Sequence, residues 1–212
     1  MSIQDSPEPR TVTHSEIRTT NPVFHVVEEE FEFGDSTLTR MYAKHLSAVA
    51  VVAVDTEDRV LLINQYRHPV RSMLWEIPAG LLDDDGETML TAAQRELHEE
   101  ADLTASRWRT LVDFYPTPGM SDEGIRVHLA EGLTPVPEDQ RHVREAEESE
   151  IAFAWVPLEE AVEAVLAGRV HNGCAVTGIL ALHAARRSSS APRDAHAPWP
   201  SHPRGFAADS AD

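Results

Sequence analysis

Two long apolar runs separated by a polar turn constrain the fold of this chain more than any other feature. The run AVAVVAV ends at the turn Asp55–Asp58, and the run RVLLINQYR begins directly after it. Consecutive apolar residues without polar alternation are typical of a strand that is buried on both faces. The pattern therefore predicts a hairpin at this turn, with structure packed on both sides of its first strand.

Strand-like and helix-like patterns alternate along the rest of the chain. The dipeptide Gly34-Asp35 separates two strand patterns, which predicts a second hairpin near the N-terminus. Apolar residues at helical spacing predict a helix from about Met89 to Ala101, with Thr88 as its N-cap. Further strands are expected in WRTLVDFYP, GIRVHLAEGL and EIAFAWVPL, and further helices in LEEAVEAVLAGR and CAVTGILALHAARR. Strands with helices packed on them predict an α/β sandwich.

The charge of the chain excludes several function classes. Eighteen Lys and Arg stand against 36 Asp and Glu, which gives a net charge of -18. A surface this acidic repels DNA, RNA and anionic membranes, so neither a nucleic acid nor a membrane is an expected partner. Cys174 is the single cysteine, which excludes an intrachain disulfide. Because the first residues also lack the layout of a signal peptide, we expect a cytoplasmic protein.

Composition also divides the 212 residues into four parts. Residues 1–20 are polar and are expected to form a flexible arm, which is followed by N-terminal strands over 21–45. The main domain is expected over 46–187. Residues 188–212 are rich in Pro, Ser, Ala and His and are expected to be disordered, with Trp199 and Phe206 either a docking motif or without a role.

Acidic residues cluster on the helix predicted to begin at Met89. Glu96 and Glu100 are four residues apart and share one helix face, and Glu99 lies beside them. Their mutual repulsion would be relieved by a hard divalent cation, because Mg²⁺ and Mn²⁺ prefer carboxylate oxygens. Arg95 is spaced to form an ion pair with Glu99. The alternative interpretation is a solvated acidic face without a ligand.

This arrangement resembles the Nudix box, a loop–helix–loop motif with a fixed order of glycine, arginine and glutamates. The matching places are taken by Gly80, Glu87, Arg95, Glu96, Leu97, Glu99, Glu100 and Leu103. Two departures are visible. The spacing from Gly80 to Glu87 is one residue longer than the pattern, and Asp102 stands where the pattern has glycine.

The resemblance to the Nudix family implies a fold and a reaction. The fold would be an α/β/α sandwich with a mixed sheet, and the reaction would be hydrolysis of a nucleoside diphosphate that is linked to another moiety. By position in the motif, Glu96 and Glu100 would be the main metal ligands, with Glu99 and the backbone carbonyl of Ala79 assisting. The implied cofactor is Mg²⁺, with Mn²⁺ as an alternative.

Segments outside the box are similar to the ADP-ribose pyrophosphatase branch of the family. The segments WEIPAG and QYRHPVR resemble stretches of that branch, and Pro118 lies fifteen residues past Leu103, where the branch carries a marker proline. This resemblance implies hydrolysis of ADP-ribose to AMP and ribose 5-phosphate. It also implies a homodimer in which the strands over 21–45 are exchanged between subunits.

The same branch resemblance implies roles for residues beyond the box. Arg67 would hold a phosphate or the terminal ribose, because a guanidinium grips phosphate oxygens with two donors. Glu76 and Glu123 would lie near the ribose and the metals. Arg40 would reach a substrate that is bound mainly by the partner subunit, and Tyr66 would stack on the adenine.

The attacking water needs a general base beyond the carboxylates that hold cations. The branch draws its base from the loop before the strand EIAFAWVPL, and the resemblance assigns this role to Glu147, with Glu148 as second choice. Two alternative functions stay open. The substrate is another nucleoside diphosphate sugar or a dinucleotide coenzyme, or the chain is a Nudix-like sensor that binds a nucleotide sugar without cleaving it.

Overall fold

The structure is a computed structural model that describes residues 3–83, 86–143 and 151–203. Within these ranges the chain forms three β-sheets and three α-helices. No helix in the described part of the chain is long and apolar enough to cross a bilayer.

The N-terminal part forms an antiparallel sheet of three strands, β1 (Val12–Thr20), β2 (Phe24–Phe33) and β3 (Ser36–His45). The hairpin predicted at Gly34 is confirmed, and this glycine has a φ of 60°. The expected flexible arm is wrong over residues 12–20, which pair with β2 along their whole length. All nine residues of β1 are exposed, so neither face of the strand needs apolar side chains. The sequence therefore shows no apolar alternation that would predict this strand.

The central sheet has five strands, β4 (Ala48–Ala53), β7 (Ala79–Leu81), β8 (Leu103–Phe114), β9 (Ile125–Pro135) and β11 (Arg193–Asp194). Their order across the sheet is β11-β8-β9-β4-β7. The pair β9-β4 is parallel, whereas the other three pairs are antiparallel. All six residues of β4 are buried, as the apolar run predicted.

The second sheet places β5 (Arg59–Arg67) between β10 (Ala152–Pro157) and β6 (Ser72–Glu76). The hairpin predicted between β4 and β5 is therefore wrong beyond the turn, where one antiparallel bridge joins Val54 to Val60. The strands β4 and β5 separate after the turn and enter different sheets. Each can therefore bury apolar side chains against its own neighbours.

Helices cover the central sheet on both sides. The helix α1 (Met89–Ala101) packs on one face with Val49 and Val51 of β4. The helix α3 (Gly173–Arg187) packs on the other face, where Ile179 contributes to the core, and α2 (Leu158–Leu166) packs beside α3 against β5 and β10. The predicted α/β sandwich with a mixed sheet is confirmed, and the bounds of α1 are those predicted from its spacing.

The segment after Ser188 differs most from the prediction. The structure describes it to residue 203, and residues 193–203, termed the C-terminal strap, lie against the central sheet. Arg193 and Asp194 pair with β8, and the side chain of Trp199 is buried in the same apolar cluster as α1. The expected disorder is therefore wrong for residues 188–203, and Trp199 packs in the core of its own chain.

Candidate active site

The position of the acidic helix follows from its cap and its apolar face. The hydroxyl of Thr88 accepts a hydrogen bond from the amide of Thr91, which starts α1 as predicted. Ala93 and Leu97 are fully buried against the central sheet. Glu96 and Glu100 each lie three residues after one of these buried positions. Because the apolar face is fixed, both glutamates point toward strand β7 instead of into solvent.

Glu96 lies directly against the backbone of Gly80. A Cβ atom at residue 80 would overlap the carboxyl group of Glu96, so any side chain there would displace it. Burial raises the pKa of Glu96 to about 7, although the adjacent Arg95 guanidinium opposes this shift. The positive charge of Arg95 therefore does not fully offset the cost of burying the ionised Glu96 carboxylate.

Glu100 lies one turn further along the same face. Its Oε2 accepts a hydrogen bond of 2.8 Å from the backbone N–H of Ala79, so two predicted metal-site residues are in direct contact. The side chain is buried, with a relative exposure of 8%. The bond joins the end of α1 to the start of β7 and fixes the orientation of the carboxylate.

Arg95 organises the remaining glutamates. Its Nε and Nη2 donate to the two carboxylate oxygens of Glu87, and its Nη1 donates to Glu96 and, at 3.3 Å, to Glu99. The carbonyl of Leu81 accepts a further bond from Nη2. The hydrogen bond with Glu87 is the largest cause of the raised pKa of Arg95. The predicted pair with Glu99 is present, but the contacts with Glu87 are closer.

The predicted residues Arg67 and Glu76 form a bidentate ion pair. The Nε and Nη2 atoms of Arg67 donate to the two Glu76 oxygens at 2.9 and 2.7 Å. Glu76 is 2% exposed, whereas the Arg67 side chain is 41% exposed. The bond with Glu76 raises the pKa of Arg67. The buried Glu76 carboxylate thus holds the partly exposed Arg67 guanidinium in a fixed orientation.

Glu123 lies in a half-buried cluster that the sequence did not reveal. His45 Nδ1 is 3.6 Å from its carboxylate, and the His45 amide donates to Asp122 at 2.7 Å. Burial raises the pKa of Glu123. Burial, with Glu123 and Glu76 nearby, raises the pKa of Cys174 to about 12. The thiol is therefore protonated at neutral pH.

Comparison with known proteins assigns this site to a family. The profile described as "NUDIX domain" matches residues 44–173. The chain is 40% identical over 199 residues to the ADP-ribose pyrophosphatase of Mycobacterium tuberculosis, covering 93% of this chain and 95% of that protein. The chain belongs to the Nudix family. Its glycine loop and carboxylates on α1 are therefore the Nudix box, and the chain is a Nudix pyrophosphohydrolase.

Two further comparisons agree with this Nudix assignment. The ADP-ribose pyrophosphatase of Bacillus subtilis is 39% identical over 133 residues, covering 63% of this chain and 70% of that protein. A solved structure described as "Crystal structure of ADP compounds hydrolase" matches with a TM-score of 0.69 at 21% identity, covering 87% and 97% of the two chains. At this identity the second likeness supports the fold.

Nudix hydrolases generally use divalent metal ions, and the residues of this site fit one. Glu96 and Glu99 are turned to Arg95, and Glu100 is turned to Ala79, so no three acidic, histidine or cysteine side chains of the described ranges converge as a ready-made cluster. The donors are nonetheless hard oxygens, and the raised pKa of Glu96 shows a buried carboxylate that a nearby cation would keep ionised.

The remaining predicted substrate-binding residues, Arg40 and Tyr66, lie on strands β3 and β5. Arg40 is exposed on β3 and lines a cavity of about 500 Å³ together with Tyr42, Tyr115 and the loop that carries Pro118. Tyr66 is 36% exposed at the end of β5, where its ring meets the edge of His68. The described cavity around Arg40 does not include Tyr66.

The predicted general base lies outside the described residues. Glu147 and its alternative Glu148 fall in the range 144–150, and the description resumes at residue 151, one position before β10. Their assignment as the base stays a prediction. The carbonyl of Ala79 as a metal ligand also stays a prediction, since the structure shows the N–H of this residue engaged with Glu100.

Proposed function

We propose that this chain hydrolyses the diphosphate bond of ADP-ribose to give AMP and ribose 5-phosphate, with Mg²⁺ as its cofactor. The observation that carries the proposal is the buried pair Glu96 and Glu100, held by Gly80 and Ala79 in a chain aligned with 95% of an ADP-ribose pyrophosphatase. The alignment supports this substrate above other nucleoside diphosphate derivatives.

The carboxylates of Glu96, Glu99 and Glu100 hold the metal in this proposal. A bound Mg²⁺ would supply positive charge that neutralises the diphosphate and favours attack by water. Arg95 keeps Glu96 and Glu99 in place through its hydrogen bonds. A chain with a net charge of -18 repels an anionic substrate, so cations at this site are needed for the diphosphate to bind.

Arg67 and the predicted loop base complete the proposed site. Arg67 binds a phosphate or the terminal ribose with the part of its guanidinium that faces solvent, while Glu76 fixes its orientation. Glu147, or Glu148 in its place, removes a proton from the attacking water. Glu123 lies near the ribose and the metals, and Tyr66 stacks on the adenine.

A homodimer and a cytoplasmic location belong to the same proposal. All nine residues of β1 are exposed in the single chain, and this supports a second subunit that packs on the N-terminal sheet. Arg40, on strand β3 at the other edge of this sheet, then contacts the substrate held mainly by the partner subunit.

The substitution Glu100→Gln tests the proposed metal site. It keeps the side-chain size but removes one negative charge from the carboxylate that faces Ala79, so turnover of ADP-ribose should fall about a hundredfold or more at an unchanged melting temperature. Glu163→Gln, at an exposed position of α2, is the matched control and should keep wild-type turnover.

The products separate ADP-ribose hydrolysis from the alternatives. Hydrolysis in ¹⁸O-labelled water, followed by mass spectrometry, should give AMP and ribose 5-phosphate, with the label in one of them. A panel of other diphosphates should react more slowly under the same conditions. Retention of intact ADP-ribose by the protein with Mg²⁺ and no products would instead identify a sensor. Full activity of Glu100→Gln would refute the metal assignment.

A further inference from the structure

The C-terminal strap binds the central sheet through main-chain carbonyl groups. Thr110 Oγ1 donates to the carbonyl of Ala195 at 3.3 Å, and His128 Nε2 lies at 3.3 Å from the same oxygen. Arg126 Nη1 donates to the carbonyl of Ala197 at 2.6 Å. The three sheet side chains are at most 2% exposed. Since buried polar groups need partners, these residues make the sheet surface a specific seat for an extended chain.

Trp199 anchors the strap on this seat. Its side chain is 6% exposed and belongs to the apolar cluster beneath α1. The Arg126 guanidinium lies 5.8 Å from its ring centroid, and its indole N–H donates to Ser201 Oγ at 3.0 Å. The strap is thus held beside α1, in the layer that covers the sheet.

Beyond Trp199, the strap contacts both ends of one loop, residues 115–124. Tyr115 Oη donates to the carbonyl of Ser201 at 2.5 Å at the start of the loop. At its end, the ring of His202 packs so closely on Gly124 that a Cβ there would lie 2.7 Å from His202 Nε2. Each end of the loop therefore rests on the strap.

The middle of the loop is held by the N-terminal sheet instead. The Ala43 amide of β3 donates to the carbonyl of Met120, and the Asp122 amide donates to the carbonyl of Ala43. The loop forms one wall of the cavity that Arg40 lines, and Pro203 of the strap lies in the same wall. The strap therefore helps to shape the cavity that contains one predicted substrate-binding residue, Arg40.

We propose that the C-terminal strap is a positioning element for substrate binding. By fixing both ends of loop 115–124, it sets the place of Pro118 in the cavity wall and the place of Glu123, which precedes Gly124. The inference rests on the proposed ADP-ribose hydrolysis, but it concerns residues outside the Nudix box. Trp199, Ser201 and His202 act through the loop, so their loss changes the affinity for substrate more than the rate of the chemical step.

Tyr115→Phe tests the proposal with a minimal change. It removes the hydroxyl that bonds Ser201 and keeps the ring that packs 5.5 Å from Trp199, so the fold is retained. KM for ADP-ribose should rise about fivefold with kcat within about twofold. Pro198→Ala, at an exposed strap position that makes no described bond to the loop, is the matched control and should keep the wild-type KM.

His202→Ala and the pair Trp199→Ala and Trp199→Phe extend the test. His202→Ala should raise KM with little change in kcat, because it removes the contact at Gly124. Trp199→Ala should raise KM further, and Trp199→Phe should restore much of the affinity by refilling the seat. A fall in kcat at unchanged KM in Tyr115→Phe and His202→Ala would overturn the proposal.

Hydrogen exchange tests the strap without any substrate. Peptides that cover residues 115–124 should exchange faster in Tyr115→Phe than in the wild type, while peptides from α1 should be unchanged. Wild-type exchange in this loop would overturn the proposal. If the wild-type protein fails to cleave ADP-ribose, the proposed function fails, and the exchange rates still decide whether the strap positions the loop.

Discussion

Gly80 shows how much a single residue decides at this site. The absence of a Cβ at this position lets the carboxyl group of Glu96 lie against the backbone of β7. The need for glycine arises from this close approach, since Gly80 does not have a left-handed backbone conformation. Asp102 presents the opposite case, because it adopts a φ of 52° at the end of α1, where the Nudix pattern has glycine.

Gly80→Ala should reduce kcat/KM for ADP-ribose by about a hundredfold, because a displacement of about 1 Å at a catalytic group has that effect. The added methyl group overlaps the Glu96 carboxyl group and pushes it off its position, which also weakens binding of Mg²⁺. Steady-state kinetics and calorimetric titration with Mg²⁺ would measure the two effects.

Gly173→Ala is the matched control for that substitution. A Cβ at residue 173, the first of α3, would lie in open space and would not displace a glutamate of the box. The variant should keep wild-type kinetics. Wild-type Mg²⁺ affinity in Gly80→Ala would contradict the role given to the close approach of Glu96.

At the scale of elements, α1 is a helix whose start is defined by one side chain. The hydroxyl of Thr88 accepts from the amide of Thr91, and no acidic residue in the first turn supplements this cap. Asn172 caps α3 in the same way by accepting from the amide of Ala175. Both helices pack on the central sheet, one on each face.

Thr88→Ala should lower the free energy of unfolding by about 1 kcal/mol, because it removes the cap acceptor for an otherwise unsatisfied amide. Urea denaturation followed by circular dichroism would measure the change. KM should be unchanged, since Glu96 and Glu100 lie two turns or more beyond the cap. Asn172→Ala gives the comparison for α3, and a loss in Thr88→Ala below a few tenths of a kcal/mol would contradict the capping assignment.

The sequence predicted correctly the elements that depend on local interactions, and it failed for those that depend on pairing between distant segments. The bounds of α1 and its cap depend on residues within a few positions of each other, and they were predicted correctly. The partners of β4 and β5 depend on long-range pairing, which an apolar run does not specify. The strap was missed because its bonds are made by carbonyl groups of Ala195 and Ala197, which every residue possesses.

The candidate site divides in the same way. The glutamates of α1 and their contact with Arg95 follow from helical spacing, so the sequence was enough to place them together. The hydrogen bond from Ala79 to Glu100 and the contact of His45 with Glu123 join segments that are distant in sequence, so no local sequence pattern predicts them.

For the whole molecule, His128 couples acidity to stability. It lies between the central sheet and the strap, where burial and the nearby Arg126 lower its pKa to about 4, while Asp113 and His196 also face it. In the unfolded chain its pKa is near 6.5. As the pH falls from about 6.5 to 4, the unfolded state takes up a proton that the folded state does not, so stability decreases.

His128→Gln should remove part of this acid sensitivity. Between pH 7 and pH 5 the free energy of unfolding of the wild type should fall by about 2 kcal/mol more than that of the variant. Urea titrations at each pH would measure the difference. His14→Gln, on exposed strand β1, should keep the wild-type dependence; equal slopes for all three proteins would contradict the burial of a neutral His128.

The strap also has a consequence for the order in which the protein matures. Sixty-seven residues separate His128 from the carbonyl group of Ala195 that covers it. While a ribosome is still adding those residues, Thr110, Arg126 and His128 have only water as a partner on that side of the nascent sheet. Release of the later segment from the exit tunnel therefore completes the sheet, and a chain stalled before that point would be a target for chaperones.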